Sequence, residues 1–256
     1  MIFMPENIDF KFKQMRHVGQ LTHKCLKRVQ EKSHEFIGKT TDHIEEIVHE
    51  FAKEHKLKCA TQGYKGFPGD CCISLNEMAC HGIPSPTKKM EEGDLVSVDV
   101  TFINEAGYYG DSCVTFPLGK PSKKHEELLA IAQEAMWRGI YVCKPGVKVK
   151  EIGEAIETFV AKHKMTVLKE WCGHGIGKYF HGFPLIPHTV DISIPDSDFV
   201  LEPGITFTIE PIITLGKNKT KVCKDNWGIV TKDKHWTAQF EHTLGITNDG
   251  NEVFTA

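Results

Sequence analysis

DLVSVDVTFINEAGYYGDSCVTF, residues 94–116, reads as a β-hairpin. Alternation from Leu95 to Phe102 sets Val96, Val98, Val100 and Phe102 on one face and Ser97, Asp99 and Thr101 on the other. Asn104-Glu105-Ala106-Gly107 is a turn signal, and the expectation is that Asp111 returns opposite Asp99. Two carboxylates facing each other on a sheet repel, and each costs free energy to desolvate. A pair of divalent cations accounts for them best, because carboxylates are hard ligands able to bridge two ions. A solvated polar face is the alternative for the hairpin taken alone.

The rest of the chain favours the metal reading. Three further candidate ligands occupy strand or loop positions: His174 in Cys-Gly-His-Gly-Ile-Gly, Glu210 in Thr-Ile-Glu-Pro, and Glu241 in Gln-Phe-Glu-His-Thr. Each alone has an ordinary structural explanation. Together with Asp99 and Asp111 they make the oxygen-rich set suited to Mn, Fe, Co or similar ions.

Around this set the sequence predicts helices over 14–34, 41–56, 122–142 and 149–163, from apolar residues spaced i, i+3, i+4, i+7. Thr40 or Asp42 is the candidate cap of the second helix. Further strands are predicted over 166–171, 205–214, 227–231 and 238–246, giving an α+β class. The second and fourth helices share a pattern: Ile44, Val48, Phe51, Ala52, His55 and Lys56 match Ile152, Ile156, Phe159, Val160, His163 and Lys164. Gly93–Asp99 (GDLVSVD) likewise matches Gly204–Glu210 (GITFTIE). The expectation is one catalytic domain over 1–256, made of related halves at about 12–118 and 119–256, with Asp99 and Glu210 meeting on a pseudo-two-fold axis.

With 40 % hydrophobic and 25 % charged residues and a net charge of −3, the 256-residue chain has an ordinary globular composition and no electrostatic case for nucleic acid or membrane surface. Its first residues lack the apolar core of a secretory signal, and no run is long enough to span a bilayer. Nine cysteines without a Cys-x-x-Cys pair indicate free thiols in a reducing cytoplasm. Cys71-Cys72 with Cys80-His81 is a weak alternative zinc site, its spacing fitting no familiar pattern.

The motifs NEMACHGIP, VDVTF followed by GDS, CGHGIG followed by FH, PGITFTIEP and AQFEHT together resemble the type I methionine aminopeptidases, of peptidase family M24, over essentially the whole chain. The resemblance implies the pita-bread fold, with a central antiparallel sheet flanked by two helix pairs. It implies that Asp99, Asp111, His174, Glu210 and Glu241 bind two divalent metals (Co, Mn, Fe, Zn or Ni), with Asp111 and Glu241 bridging. A metal-bridging water would be the nucleophile, Glu210 its general base, and His81 and His181 the contacts of the scissile amide. Thr61, Tyr64, Phe67, His81, Phe180, His181 and Trp227 would form the substrate pocket, whose aromatic rings suit a thioether.

The implied reaction removes the initiator methionine from nascent chains with a small second residue. A cytoplasmic monomer with transient ribosome contact is implied by analogy, in a short bacterial-type form that starts directly on the catalytic helices. Departures from the family pattern are Lys65, Gly69-Asp70, the Gly-Phe-Pro after His181, and an Asp99–Asp111 loop one residue longer than in some relatives. Runner-up readings are a proline-directed peptidase of the same fold, which would carry an additional N-terminal domain, and a non-catalytic ribosome- or RNA-binding relative, which would have lost ligands. A type II enzyme would carry a long insertion between His174 and Glu241.

Overall fold

A computed structural model describes residues 7–190 and 197–256. The first six residues, on which part of the secretory-signal reading and the start of the 1–256 domain fall, lie outside the described residues.

Helix α1 runs Ile8–Glu31, six residues earlier than its periodicity indicated, because the Asn7 side chain accepts the Phe10 N–H and caps its start (3.0 Å). Helix α2 runs Asp42–Glu54. Neither candidate cap serves it: Thr41 is the capping residue and its hydroxyl bonds Ser85 instead of the helix, while the Thr40 hydroxyl donates to the Asp42 carboxylate (2.5 Å). Short strands β1 (Lys58–Cys59), β2 (Cys72–Leu75) and β3 (Met78–Cys80) lead into the hairpin β4 (Leu95–Ile103) and β5 (Tyr109–Pro117). Helices α3 (Lys123–Val142) and α4 (Val149–Lys162) follow.

The second half is built of β6 (Thr166–Val167), β7 (Gly173–Gly175), β8 (Gly182–Ile186), β9 (Thr206–Ile209), β10 (Ile212–Thr214), β11 (Thr220–Val222), β12 (Ile229–Thr231), β13 (Thr237–Gln239), β14 (Glu241–Ile246) and β15 (Asn251–Val253). All four predicted strands are shorter or divided, that from 227 beginning only at Ile229. The run from 205 breaks at Glu210-Pro211, where proline has no N–H for the ladder. The run from 238 breaks at Phe240, and the stretch from 166 is extended only to Val167.

Nine strands form one antiparallel sheet in the order β1-β4-β5-β14-β9-β7-β8, with β2 also on β4 and β15 also on β14. One face of this sheet is apolar. Val96, Val98, Val100 and Phe102 pack with Met15, Val18 and Phe51 under α1 and α2. Phe207, Ile209, Leu244 and Ile246 pack with Ile131, Met136, Ile152 and Ile156 under α3 and α4. The opposite face carries Asp99, Asp111, Glu241 and a series of buried serines and threonines, so it is enclosed and not solvated.

The hairpin register differs from expectation: Asp111 lies opposite Thr101, and Asp99 opposite Cys113. The turn sets this, since the Asn104 side chain accepts the Tyr108 N–H (3.0 Å) and the strands pair from Ile103↔Tyr109 inward. Asp99 and Asp111 are therefore diagonal neighbours, two residues apart along one face.

Several local features recur between the halves. Lys56 and Lys164 end α2 and α4 with φ of 56° and 58°. Gly93 and Gly204 both have φ of 92°. Isolated bridges join Thr40 to Lys89 and Lys148 to Val200. The chain closes on itself where α1 meets the C-terminal strand, with Phe12 edge-on to Phe254 (5.1 Å) and Arg16 paired to Glu252 (2.6 Å).

Candidate active site

Strand pairing assembles the acidic centre. Glu241 at the start of β14 is in register with Cys113 of β5, itself in register with Asp99 of β4, so two carboxylates occupy one row across three strands. Asp111 lies one pleat further along β5 on the same face. Its carboxylate accepts the Thr101 hydroxyl (2.7 Å), and its backbone is clamped by Thr243, which takes the Asp111 N–H (3.1 Å) and donates to its carbonyl (2.7 Å).

His174 comes from β7, where glycines on either side let other chains approach: a Cβ at position 173 would stand 2.2 Å from the Thr208 carbonyl oxygen, and one at 175 would overlap that of Phe183. Its backbone N–H is held by the Thr208 hydroxyl (3.0 Å). Its Nδ1 lies 3.2 Å from the Gly175 carbonyl, so it carries the proton and leaves the Nε2 lone pair facing the acids. Nε2 stands 3.5 Å from Glu210 and 3.7 Å from Asp111. Glu210 sits in the break between β9 and β10, accepts the Thr208 hydroxyl (2.7 Å), and gives its backbone N–H to Nε2 of the buried His188 (3.2 Å).

Burial raises the pKa of all four carboxylates, and mutual repulsion adds to it at Asp111, Glu241 and Glu210. Burial lowers His174 to about 4, so it is neutral at pH 7. Four acids converging on a neutral imidazole with a free lone pair fit divalent metal ions by donor chemistry and by charge. One donor atom each from Asp111, His174 and Glu241 lie within 4.8 Å of one another, close enough to share an ion.

Asp99, Asp111, His174, Glu210 and Glu241 all open on one cavity of about 270 Å³. Thr61, Tyr64, Phe67, His81, Phe180, His181 and Trp227 line it too, so every residue proposed from sequence for the site is brought together. Phe67 meets Trp227 edge-on at 5.1 Å, and Tyr64 lies 4.8 Å from Phe180, forming an aromatic slot. His81, with φ of 56°, stands edge-on to Trp171 at 5.2 Å, while His181 stacks on Tyr64 at 5.1 Å. Desolvation lowers the pKa of both histidines, leaving each ring nitrogen pair one donor and one acceptor.

Sequence reasoning singled out Lys65 as a departure from the family pattern without placing it in the lining, and missed Cys72 and Thr101 there and the supports Thr208, Thr243 and His188. The threonines carried a usable signal, each being a polar residue on the acid-bearing face of a strand. His188 carried none, since its partner is backbone 22 residues away. The cysteine–histidine zinc alternative gains no support: among the described residues the cysteines are free thiols and none joins a cluster of potential ligands.

Comparison with known proteins agrees with this geometry. The model of metallopeptidase family M24 matches residues 13–248. Methionine aminopeptidase of Escherichia coli K12 is 38 % identical over 98 % of this chain and 92 % of its own length. Methionine aminopeptidase 2 of Mycobacterium tuberculosis is 42 % identical over 85 % of this chain and 75 % of its own. The crystal structure of methionine aminopeptidase from Rickettsia prowazekii superposes with a TM-score of 0.90 at 37 % identity, covering 97 % of this chain and 98 % of that one. Prolidase from Pyrococcus furiosus, 21 % identical with a TM-score of 0.74 over 96 % of this chain and 64 % of that one, shares the fold alone. An acid-rich cavity suited to metals and relatives alike over nearly the whole chain lead to one assignment: this chain belongs to metallopeptidase family M24, in its methionine aminopeptidase branch, and is a metal-dependent aminopeptidase.

Proposed function

We propose that the substrate is the initiator methionine of nascent chains bearing a free N-terminal amine and a small second residue. The observation that carries this reading is the shared cavity: an aromatic slot and five candidate ligands open on the same 270 Å³, so a side chain held in the slot presents its own backbone to the acids. Asp99, Asp111, His174, Glu210 and Glu241 would hold two divalent ions. Such ions supply Lewis acidity and lower the pKa of coordinated water toward neutrality.

The chain's own residues do the rest. Tyr64, Phe67, Phe180 and Trp227 enclose the thioether and exclude water, with Thr61 behind them. Glu210, anchored by Thr208, accepts a proton from the attacking water and passes it to the leaving amine. His81 and His181, both neutral, donate N–H bonds to the scissile amide oxygen as it gains charge. In this reading residues 1–256 form one catalytic unit whose recurring features reflect duplicated halves, acting as a monomer in the cytoplasm with transient ribosome contact. Among the described residues no helix is long and apolar enough to cross a membrane.

The test is release of methionine from a Met-Gly-Gly peptide by metal-stripped protein, with Mn, Fe, Co, Zn or Ni added back singly. Metal-dependent release of the first residue only, lost in His174→Ala and Asp99→Asn, is the expected result. Folded protein that releases nothing with any metal, or that prefers an Xaa-Pro peptide, overturns it.

A further inference from the structure

Among the described residues, one cationic side chain lines the cavity: Lys65. The four carboxylates of the lining, Asp99, Asp111, Glu210 and Glu241, are the candidate metal ligands, which leaves Lys65 as the charged side chain free to meet the substrate.

Its placement is enforced by the backbone. The loop runs Gly63 (φ 77°), Tyr64, Lys65 (φ 48°), Gly66 (φ 88°), so a lysine occupies a left-handed position between two glycines that take such angles freely. Lysine has no side-chain device that favours this region, although Lys56, Lys164 and Lys234 adopt it as well. Backbone bonds lock the loop: Gly66 N–H to the Gly63 carbonyl (3.1 Å), Phe67 N–H to that of Tyr64 (2.9 Å) and Gly63 N–H to that of Phe67 (2.8 Å). The Lys65 ammonium lies 5.3 Å from the centre of the Tyr64 ring, which in turn stacks on His181. Asp70, the acid nearest in sequence, pairs with His49 instead (2.7 Å).

The slot is buried and Lys65 is exposed, so a chain entering methionine first passes Lys65 with its downstream residues. We propose that Lys65 is a specificity-determining residue that reads an anionic group beyond the scissile bond, chiefly an acidic side chain on the third residue of the substrate. The inference rests on the methionine aminopeptidase reading and adds a preference that neither metal nor aromatic slot supplies.

The ion pair is made at an exposed rim, so it is modest and sensitive to salt. It forms equally in ground and transition states and therefore acts on KM rather than kcat. The experiment compares Met-Ala-Asp-Ser-amide, Met-Ala-Asn-Ser-amide and Met-Ala-Lys-Ser-amide with metal-loaded wild type, Lys65→Gln and Lys65→Glu. Wild type is expected to favour Asp over Lys roughly three- to tenfold in kcat/KM, carried by KM and shrinking at high salt. The ratio should fall to near unity in Lys65→Gln and invert in Lys65→Glu. An Asp-to-Lys ratio that is unchanged by both substitutions overturns the inference while leaving the peptidase reading standing. Failure of wild type to release methionine from any of the three overturns both.

Discussion

His174 Nε2 lies 3.5 Å from a Glu210 carboxylate oxygen, yet burial holds this imidazole neutral, so the two are not an ion pair. A lone pair and a carboxylate brought together at that spacing are arranged as donors to a common cation. His174→Ala is expected to lower bound metal, measured by elemental analysis, and to cut methionine release at least a hundredfold. Circular dichroism should stay that of wild type. Full metal content in this variant would contradict the assignment.

Metal and pH act together on stability, and the direction follows from the shifts. Burial raises Asp99 to about 7 and Glu210 to about 8, above their unfolded values, so in the metal-free protein their stabilising protonation is lost as pH rises through those values. His174, His188 and His242 are lowered to between about 3 and about 4, so their contribution is complete once pH exceeds their unfolded value near 6.5. Of these groups, Asp99 and Glu210 go on losing their protons up to pH 8. Chelator-treated protein should therefore melt lower at pH 8 than at pH 6.5, and the gain in melting temperature on adding Mn should grow over that interval. Scanning calorimetry at both pH values decides the matter; a metal-free protein that melts higher at pH 8 refutes it.

His188 is a support whose loss should be felt at the metals. It accepts the Glu210 N–H, and a phenylalanine there leaves that buried donor without a partner, at a cost of about 1–3 kcal/mol. His188→Phe should weaken metal binding about tenfold to a hundredfold, as removal of such outer partners does elsewhere. Titration calorimetry with Mn measures this, and wild-type affinity would show that Pro211 and Thr208 suffice to place Glu210.

Gly19 in α1 tests the closure of the fold. A Cβ there would stand 2.4 Å from the Phe254 carbonyl oxygen, so backbone must move. Gly19→Ala should destabilise by about 2 kcal/mol or more, whereas Gly38→Ala, with open space but φ of 82°, should cost about 1 kcal/mol. Urea unfolding of the pair separates steric overlap from backbone strain.

Much of this site was legible before any coordinates. Acids on otherwise apolar strands mark an enclosed polar face, and alternation sorted Asp99 from Val98 and Val100 correctly. The register did not follow from alternation, because Asn104 and Tyr108 set the turn, and a shift of two residues preserves every facing while changing every partner. Strand ends at Glu210 and Phe240 were hidden inside long β-prone runs. The extra residues at the start of α1 depended on a single Asn7 bond. The resemblance placed Tyr64 of loop 63–66 in the pocket, but the left-handed angle at Lys65 could not be read, since it is imposed by the fold and opposed by the residue's own preference.

The seam between α1 and the last strand also has a consequence for timing. Phe12 and Phe254 share one buried contact, and Phe254 and Thr255 are almost wholly enclosed. A ribosome holds the most recently joined residues in its tunnel, so this contact is out of reach until residue 254 has cleared it. The N-terminal helix pair therefore waits for the synthesis of a segment far along the chain before its own end of the core is sealed.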